Sequence, residues 1–501
     1  MTENLVVRGA RWVWMALALG LVSCAGFRVP GSREPVSEVE RFLSIYARQG
    51  QFNGTVLVAE RGRVVYKGAF GKANFDLDVP NTPEGVFNVG SVTKLFTATL
   101  VMQLVQEGKL RLDGTLGEYL PAFAPTAAGR VTLRQLLTHT SGLSSRMNGR
   151  DELFWNIDAR RSYSVDEFLS LHIPGTLDFE PGGQWRYSNA GYFVLGAIVE
   201  RATGEDFAQA LSRRILTPAG MLHSGLDREG LLLPGRVNGY VKRLGEYQPA
   251  VYVDASVYYS AAGFYSTVED LLRWDRALSS DLLLNAETRR QAFTPQEKKS
   301  GYGWFLESWP VGKTGRTLPV ALHSGGVPGF ASLLVRSTSD EGFIILLDNT
   351  AQGNALNAIA HGLFDLLHGE TPPAPLRNPA DVVGPLVVNE GIEAAVREFR
   401  RLRRDGAGDV DLSESAVNAF AYQLLRMPRV EDALRFFQLN VESFPDSANV
   451  YDSLAEAYVL QGDKVRGLEN YREALKREPD NDYVKARIDE LDTPGGDAAR
   501  K

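Results

Sequence analysis

The sequence predicts an α/β protein in which an antiparallel sheet is flanked by helices, carries a helical subdomain as an insertion, and is followed by an all-α domain. Three observations predict this organisation. A helix pattern and a hairpin pattern come first, strand and helix patterns return after a long, mostly helical stretch, and a repeat occupies the C-terminal part. Because a sheet buries its apolar faces against other layers, the first two patterns are expected to form one layered domain.

The first pattern begins at residues 37–40, whose Ser-x-x-Glu spacing is that of a capping box ahead of an amphipathic helix. Two runs of β-forming residues follow, 55–59 and 64–70, and Gly62 lies in the turn between them. A pair of such runs with a glycine between them predicts a β-hairpin.

The second pattern consists of strand-like runs at 331–337 and 342–347 and a helical run at 356–367. The sequence between the hairpin and these strands has a mostly helical pattern. We therefore expect it to form the helical subdomain.

The third observation is a repeat beyond a proline-rich stretch. Residues 370–390 have no apolar period and predict an extended linker. In residues 391–492 a motif recurs after 34 residues: Ala433, Phe437 and Pro445 return as Gly467, Tyr471 and Pro479. This spacing resembles tetratricopeptide repeats, which implies a groove for a protein or peptide partner. A generic helical bundle remains the alternative, and residues 493–501 are expected to be a tail.

Composition excludes several classes of function. The 501 residues carry a net charge of −7, which provides no basic surface for nucleic acid. A single cysteine, Cys24, excludes an intramolecular disulfide and a Cys/His zinc cluster. We expect neither a metal nor another cofactor.

The N-terminus has the pattern of an export signal. Arg8 and Arg11 precede an apolar run at 12–22, and small residues lead to Cys24. The pattern resembles a bacterial lipoprotein signal, which implies removal of residues 1–23, lipidation of Cys24 and a tether at 24–35. The expected location is the periplasmic face of a membrane in the bacterial cell envelope. A plain signal peptide or a short anchor is the alternative.

One candidate nucleophile stands out in the sequence. Ser91 and Lys94 are three residues apart, so a helix starting near Ser91 would place both side chains on one face. A serine hydroxyl needs such a base, and a buried lysine can serve because burial lowers its pKa. The helix start would also direct N–H groups and a positive dipole end toward the site.

Two further motifs follow in order, at 185–192 and 323–330. With the first motif they resemble the serine beta-lactamase and penicillin-binding-protein superfamily, in its class C-like branch, whose second motif is Y-x-N and whose third is K-T-G or H-x-G. The sequence segments 136–143 and 262–267 are also typical of that family. The resemblance spans about two thirds of the chain and implies a beta-lactamase/transpeptidase-like domain at 36–369.

The resemblance implies roles for individual residues. Ser91 corresponds to the acylated serine, Lys94 to its proton acceptor, and Tyr187 to the tyrosine that exchanges protons with the nucleophile and the leaving group. Asn189 corresponds to the amide that bonds the lysine and the substrate. The third motif supplies the substrate-binding and oxyanion residues: His323, Ser324, Gly325 and Gly326, the last through its N–H group.

Two other motifs are interpreted as structural. Residues 313–315 spell K-T-G, but they lie in a stretch punctuated by glycine and proline that predicts a turn. His139 and Ser141 form no triad, because no orienting carboxylate accompanies them.

The implied activity is hydrolysis of an ester, an amide or a D-amino-acid peptide through an acyl-enzyme. A lysine in the third motif would offer a substrate carboxylate a permanent charge, whereas His323 is expected to titrate near neutrality and to offer mainly a hydrogen bond. This difference favours an esterase or D-Ala peptidase-like enzyme over an efficient beta-lactamase. The alternative is a penicillin-binding sensor or scaffold that works through its repeats.

Overall fold

The structure, a computed structural model, describes residues 35–148, 151–296, 299–406, 408–427 and 429–492. The predicted signal peptide, Cys24, most of the tether and the tail lie outside these residues. Within the described ranges, no helix combines the length and apolar character needed to cross a membrane.

A six-stranded antiparallel sheet forms the centre of the first part of the chain, in the spatial order β3-β4-β5-β6-β1-β2. Its strands in chain order are β1 (Gly54–Glu60), β2 (Arg63–Phe70), β3 (Phe305–Pro310), β4 (Thr317–Val327), β5 (Phe330–Ser337) and β6 (Gly342–Asp348). The β1–β2 hairpin and the strands β5 and β6 confirm the sequence prediction. Strand β1 is an internal strand between β6 and β2, and nearly all of its residues are buried.

Four helices of 14 or 15 residues pack around this sheet or within the insertion: α1 (Pro35–Arg48), α2 (Thr93–Gln106), α3 (Asn189–Thr203) and α4 (Gly353–Leu367). Alternate residues of β1 face opposite sides. Val56 and Val58 join the apolar cluster of α1 and α4, whereas Leu57 and Ala59 join the cluster that contains α2 and α3. The sheet is therefore covered by helices on both faces.

The insertion between β2 and β3 contains the remaining elements of this part. Its other helices are Leu116–Tyr119, Leu133–Leu137, Glu152–Asn156, Val165–His172, Phe207–Leu211, Thr217–Ala219, Ala255–Ala262, Val268–Ser279 and Ala286–Ala292, with a π-helical turn at Ser212–Leu216 and short 3₁₀ turns. Its short strands are Lys72–Asn74, Val79–Pro80, Phe87–Asn88, Gly225–Leu226, Tyr240–Arg243, Glu246–Pro249 and Phe264–Ser266. The predicted helical insertion is confirmed.

The C-terminal part is helical, as predicted. After two short helices, Pro379–Val382 and Gly384–Asn389, come Ile392–Asp405, Glu414–Arg426, Val430–Ser443, Ala448–Gln461, Lys464–Arg477 and Asp482–Asp492. Two of these begin 34 residues apart, at Val430 and Lys464, which matches the sequence period. The expected linker is extended only before Pro379, because the segment after it packs Ala380, Val383 and Val387 into the helical core.

A hairpin of the insertion reaches into that helical core. Strands Tyr240–Arg243 and Glu246–Pro249 are joined by Leu244 and Gly245, and Leu244 is 2% exposed within the C-terminal apolar cluster. Beside it, Lys242 Nζ lies 2.7 Å from a carboxylate oxygen of Asp381. The helical region thus contacts the insertion through a specific side chain.

Candidate active site

The first motif lies where a short strand turns into helix α2. Residues Gly90–Val92 form a 3₁₀ turn that leads directly into α2, so Ser91 precedes the positive end of a helix dipole. The turn is fixed by hydrogen bonds: the Gly90 N–H donates to Asn88 Oδ1 at 2.8 Å, and the Thr93 hydroxyl donates to the Gly90 carbonyl at 2.6 Å.

Lys94 is the most deeply buried charged group of the site, with no exposed side-chain area. Its Nζ lies 3.1 Å from Ser91 Oγ, 2.8 Å from Asn189 Oδ1 and 2.9 Å from the Ala261 carbonyl oxygen. Burial lowers the pKa of Lys94 well below its usual value. A neutral amine in this position can accept a proton from the Ser91 hydroxyl.

The second motif places Tyr187 and Asn189 against the same lysine. Ser188 caps α3 by accepting the Gly191 N–H at 3.0 Å, so Asn189 opens the helix and points its amide toward Lys94. The Tyr187 phenol lies beside Ser91, and Lys94 Nζ lies 4.8 Å from the centre of its ring. Burial raises the pKa of Tyr187, so its phenol holds its proton at neutral pH.

The third motif lies at an open edge of the sheet. Strand β4 pairs with β3 only as far as Leu322, so within the described sheet residues 323–327 pair with β5 alone. The edge comes very close to the first motif: a Cβ atom added to Gly90 would lie 2.6 Å from the Gly326 nitrogen. The Gly326 amide is therefore beside the turn that carries Ser91, and Ser324 is exposed on the same edge.

His323 differs from the sequence expectation. It is 1% exposed, and burial lowers its pKa to about 3. The expectation of titration near neutrality is therefore wrong, because the sequence did not reveal that this side chain faces the interior. Its Nδ1 lies 2.6 Å from the Ser324 carbonyl oxygen, and its Nε2 has no partner among the described residues.

Two further groups lie at the site, and the sequence analysis assigned neither of them a role there. The Ala261 carbonyl reaches Lys94 because the helix Ala255–Ala262 is kinked at Tyr259, whose φ is 37° and ψ −131°. His139 stacks on Tyr187 at 4.6 Å between ring centres. Residues 313–315 lie exposed in the turn between β3 and β4, as predicted.

A cavity of about 550 Å³ adjoins the first and third motifs. Its walls include Asn88, three residues before Ser91, Val327 in the third motif, and the aromatic residues Tyr258, Tyr265 and Phe330. Within the described ranges, no group of three or more His, Cys, Asp and Glu residues is placed to hold a metal ion.

Gly90 is expected to be essential to the relative position of the Ser91 and Gly326 backbone N–H groups. Its φ of 52° is left-handed, and any Cβ would press on the Gly326 nitrogen. Gly90→Ala should lower kcat by roughly 10²- to 10³-fold, the size of a lost oxyanion donor. Gly204, also left-handed but with open space around it, supplies the control: Gly204→Ala should leave kcat unchanged. Equal kcat values for wild type and Gly90→Ala would contradict this geometry.

Comparisons with known proteins agree with this architecture. The beta-lactamase family model matches residues 39–363. Penicillin-binding protein 4* of Bacillus subtilis is 30% identical over 400 residues, covering 72% of this chain and 85% of the relative. Esterase EstB of Burkholderia gladioli is 29% identical over 364 residues, covering 64% of this chain and 92% of the relative.

A solved structure shows the same fold. The penicillin-binding protein from Bacillus halodurans superposes with a TM-score of 0.56 at 26% identity, covering 64% of this chain and 98% of that one. The region that the family model matches, residues 39–363, contains all three motifs. The chain belongs to the beta-lactamase family, a conclusion that rests on the family match across residues 39–363 and on the relative that is 30% identical.

Proposed function

We propose that the protein is a serine hydrolase that forms an acyl-enzyme at Ser91. The observation that carries this proposal is the buried amine of Lys94, which lies 3.1 Å from the Ser91 hydroxyl and whose pKa is lowered well below its usual value by burial. A serine hydroxyl with such a base becomes a competent nucleophile.

The proposed reaction begins when Lys94 Nζ accepts the Ser91 proton and Ser91 Oγ attacks the carbonyl carbon of the substrate. The N–H groups of Ser91 and Gly326 stabilise the negative charge on the carbonyl oxygen. The bond to the leaving group then breaks, and the leaving group takes a proton from the Tyr187 phenol, which Lys94 reprotonates. Water, activated by the same groups, hydrolyses the ester to Ser91 and restores the enzyme.

The proposed substrates are esters, amides or D-amino-acid peptides with a neutral acyl group. His323 is buried and uncharged, so it supplies no cation for a substrate carboxylate. The adjoining cavity has an aromatic part, formed by Tyr258, Tyr265 and Phe330, and a charged part, which includes Arg228 and Arg236. The names of the relatives, an esterase and penicillin-binding proteins, support both an esterase and a D-Ala peptidase-like activity.

A substrate panel tests this proposal. Purified protein is given p-nitrophenyl esters of increasing acyl length, nitrocefin and a D-Ala-D-Ala peptide, with Ser91→Ala as the control. We expect ester turnover to exceed nitrocefin turnover, and no turnover by Ser91→Ala. Absence of turnover and of a covalent adduct with every compound would favour a sensor or scaffold that works through the helical region.

We also propose that the protein is a lipoprotein of the cell envelope and that its helical region, as tetratricopeptide-like repeats, binds a protein or peptide partner. The signal pattern ending at Cys24 and the 34-residue recurrence support these two points. Cys24→Ser is expected to abolish palmitate incorporation and to release the protein from the membrane fraction. Unchanged fractionation without palmitate labelling of the wild type would contradict lipidation.

A further inference from the structure

His139 is a buried residue with an unusual backbone. It is 3% exposed, and its φ of 61° lies in the left-handed region that residues other than glycine rarely adopt. Backbone conformations of this kind cost free energy and persist where the surrounding structure requires them, often at functional sites. The question is what this conformation achieves.

His139 holds the backbone on both sides of Tyr187. Its carbonyl oxygen accepts the Arg186 N–H at 2.9 Å, and its ring atom Nδ1 accepts the Ser188 N–H at 3.1 Å. Its ring also stacks on the Tyr187 ring, at 4.6 Å between centres and 29° between planes. One residue therefore contacts the residue before Tyr187, the residue after it and the aromatic ring itself.

The hydrogen bond from the Ser188 N–H to His139 Nδ1 excludes His139 as a base for Ser141. Nδ1 accepts an amide N–H, so the neutral ring carries its proton on Nε2 and has Nδ1 occupied. Ser141 is 1% exposed, and its Oγ accepts the Leu143 N–H at 3.3 Å. A histidine and serine so placed serve the local structure rather than a second nucleophilic pair.

We propose that His139 is a positioning residue for Tyr187, fixing the phenol where it passes a proton to the leaving group. This inference rests on the proposed function, since it assigns Tyr187 the role of proton donor. If the ring and its hydrogen bond from the Ser188 N–H are lost, Tyr187 keeps its chemistry but loses its orientation. Small displacements of a catalytic group can cost about 10²-fold in rate.

The test compares two ester substrates with the same acyl group, one with p-nitrophenol and one with ethanol as the leaving group. The nitrophenolate departs without protonation, whereas the alkoxide needs the proton from Tyr187. We expect His139→Asn to lower kcat for the ethyl ester at least tenfold more than for the nitrophenyl ester. Asparagine tolerates a left-handed φ, so the backbone is preserved. His139→Gly, which suits the same φ, is the second variant if the first is unstable.

Two comparisons separate positioning from a structural role. Tyr187→Phe should show the same leaving-group preference, and the double variant His139→Asn/Tyr187→Phe should be no worse than Tyr187→Phe, because both changes remove one function. His172 is the matched control, since it is also 3% exposed and packs among Phe154, Tyr163 and Phe168. His172→Asn should change thermal stability without changing the ratio of the two kcat values.

The outcomes are distinguishable. An unchanged ratio in both folded His139 variants, while Tyr187→Phe shifts it, overturns the positioning role and leaves the proposed function intact. If the losses in kcat caused by His139→Asn and Tyr187→Phe add up in the double variant, the positioning role is also overturned and the proposed function stays intact. A wild type that hydrolyses neither ester and forms no adduct at Ser91 overturns the proposed function and this inference with it.

Discussion

Ser91→Ala is expected to abolish acylation, and Lys94→Ala to slow it by several orders of magnitude without unfolding the protein. The hydroxyl and the amine lie 3.1 Å apart and act as one unit, so neither is useful alone. The double variant should therefore be barely worse than either single variant. Stopped-flow measurement of p-nitrophenol release, with circular dichroism as the check on folding, provides the rates.

The pH dependence follows from the direction of the Lys94 shift. Burial lowers the pKa of Lys94, so the neutral, basic form exists at pH values where an ordinary lysine is charged. Acylation should fall as pH decreases through this lowered pKa, because protonated Lys94 cannot accept the Ser91 proton. His323, with a pKa lowered to about 3, should stay neutral through this change. A rate that rises as pH is lowered from 7 to 5 would contradict Lys94 as the base.

Removal of residues 370–501, which include the helical region, is expected to leave Ser91 reactive but to reverse the effect of one substitution. Leu244 and Gly245 form the two-residue loop of a hairpin, with φ values of 50° and 89°. Such loops favour Asn-Gly, and leucine at a left-handed φ is strained. Leu244 is nevertheless present, and it is 2% exposed in the core of the helical region.

Leu244→Asn should therefore destabilise the full chain and stabilise the truncated one. In the full chain the loss of a buried leucine costs about 2–4 kcal/mol and outweighs roughly 1 kcal/mol of relieved strain. In the truncated chain Leu244 has no helical core to pack against, so Leu244→Asn only relieves the backbone strain. Leu232, which is 93% exposed, is the control, and Leu232→Asn should have little effect in either chain. Calorimetric Tm values for the six proteins measure this, and the same sign in both chains would show that Leu244 does not secure the helical region.

The hairpin also connects the helical region to the cavity beside the third motif. Gly239 precedes it and Ala250 follows it, and both line the cavity beside the third motif. Truncation is therefore expected to change KM for bulky acyl groups more than kcat for small esters. This differs from a helical region that is merely attached by a linker.

The sequence predicts those features that depend on local spacing. The three-residue step from Ser91 to Lys94 and the hairpin at β1 and β2 follow from patterns within a few residues of each other. The contributions of Ala261 and His139 could not be predicted, because a backbone carbonyl and a left-handed histidine carry no signal in the sequence. The burial of His323 was also hidden, since residue type alone does not tell which side of a strand faces the core.

The meaning of Leu244 in the sequence becomes clear only once the structure is known. A leucine before glycine in a two-residue hairpin loop conflicts with local preference, and such conflicts mark places where tertiary contacts decide. Here the contact is the core of the helical region. Without the structure, neither the hairpin register nor its neighbour could be known.

The central claim is tested most directly by locating the covalent adduct. The protein is treated with a fluorophosphonate probe or a p-nitrophenyl ester under acid quench, its intact mass is measured, and the labelled peptide is sequenced by fragmentation. We predict one adduct per chain, on Ser91, and none on Ser91→Ala. An adduct on any other residue, or undiminished labelling of Ser91→Ala, would contradict the account.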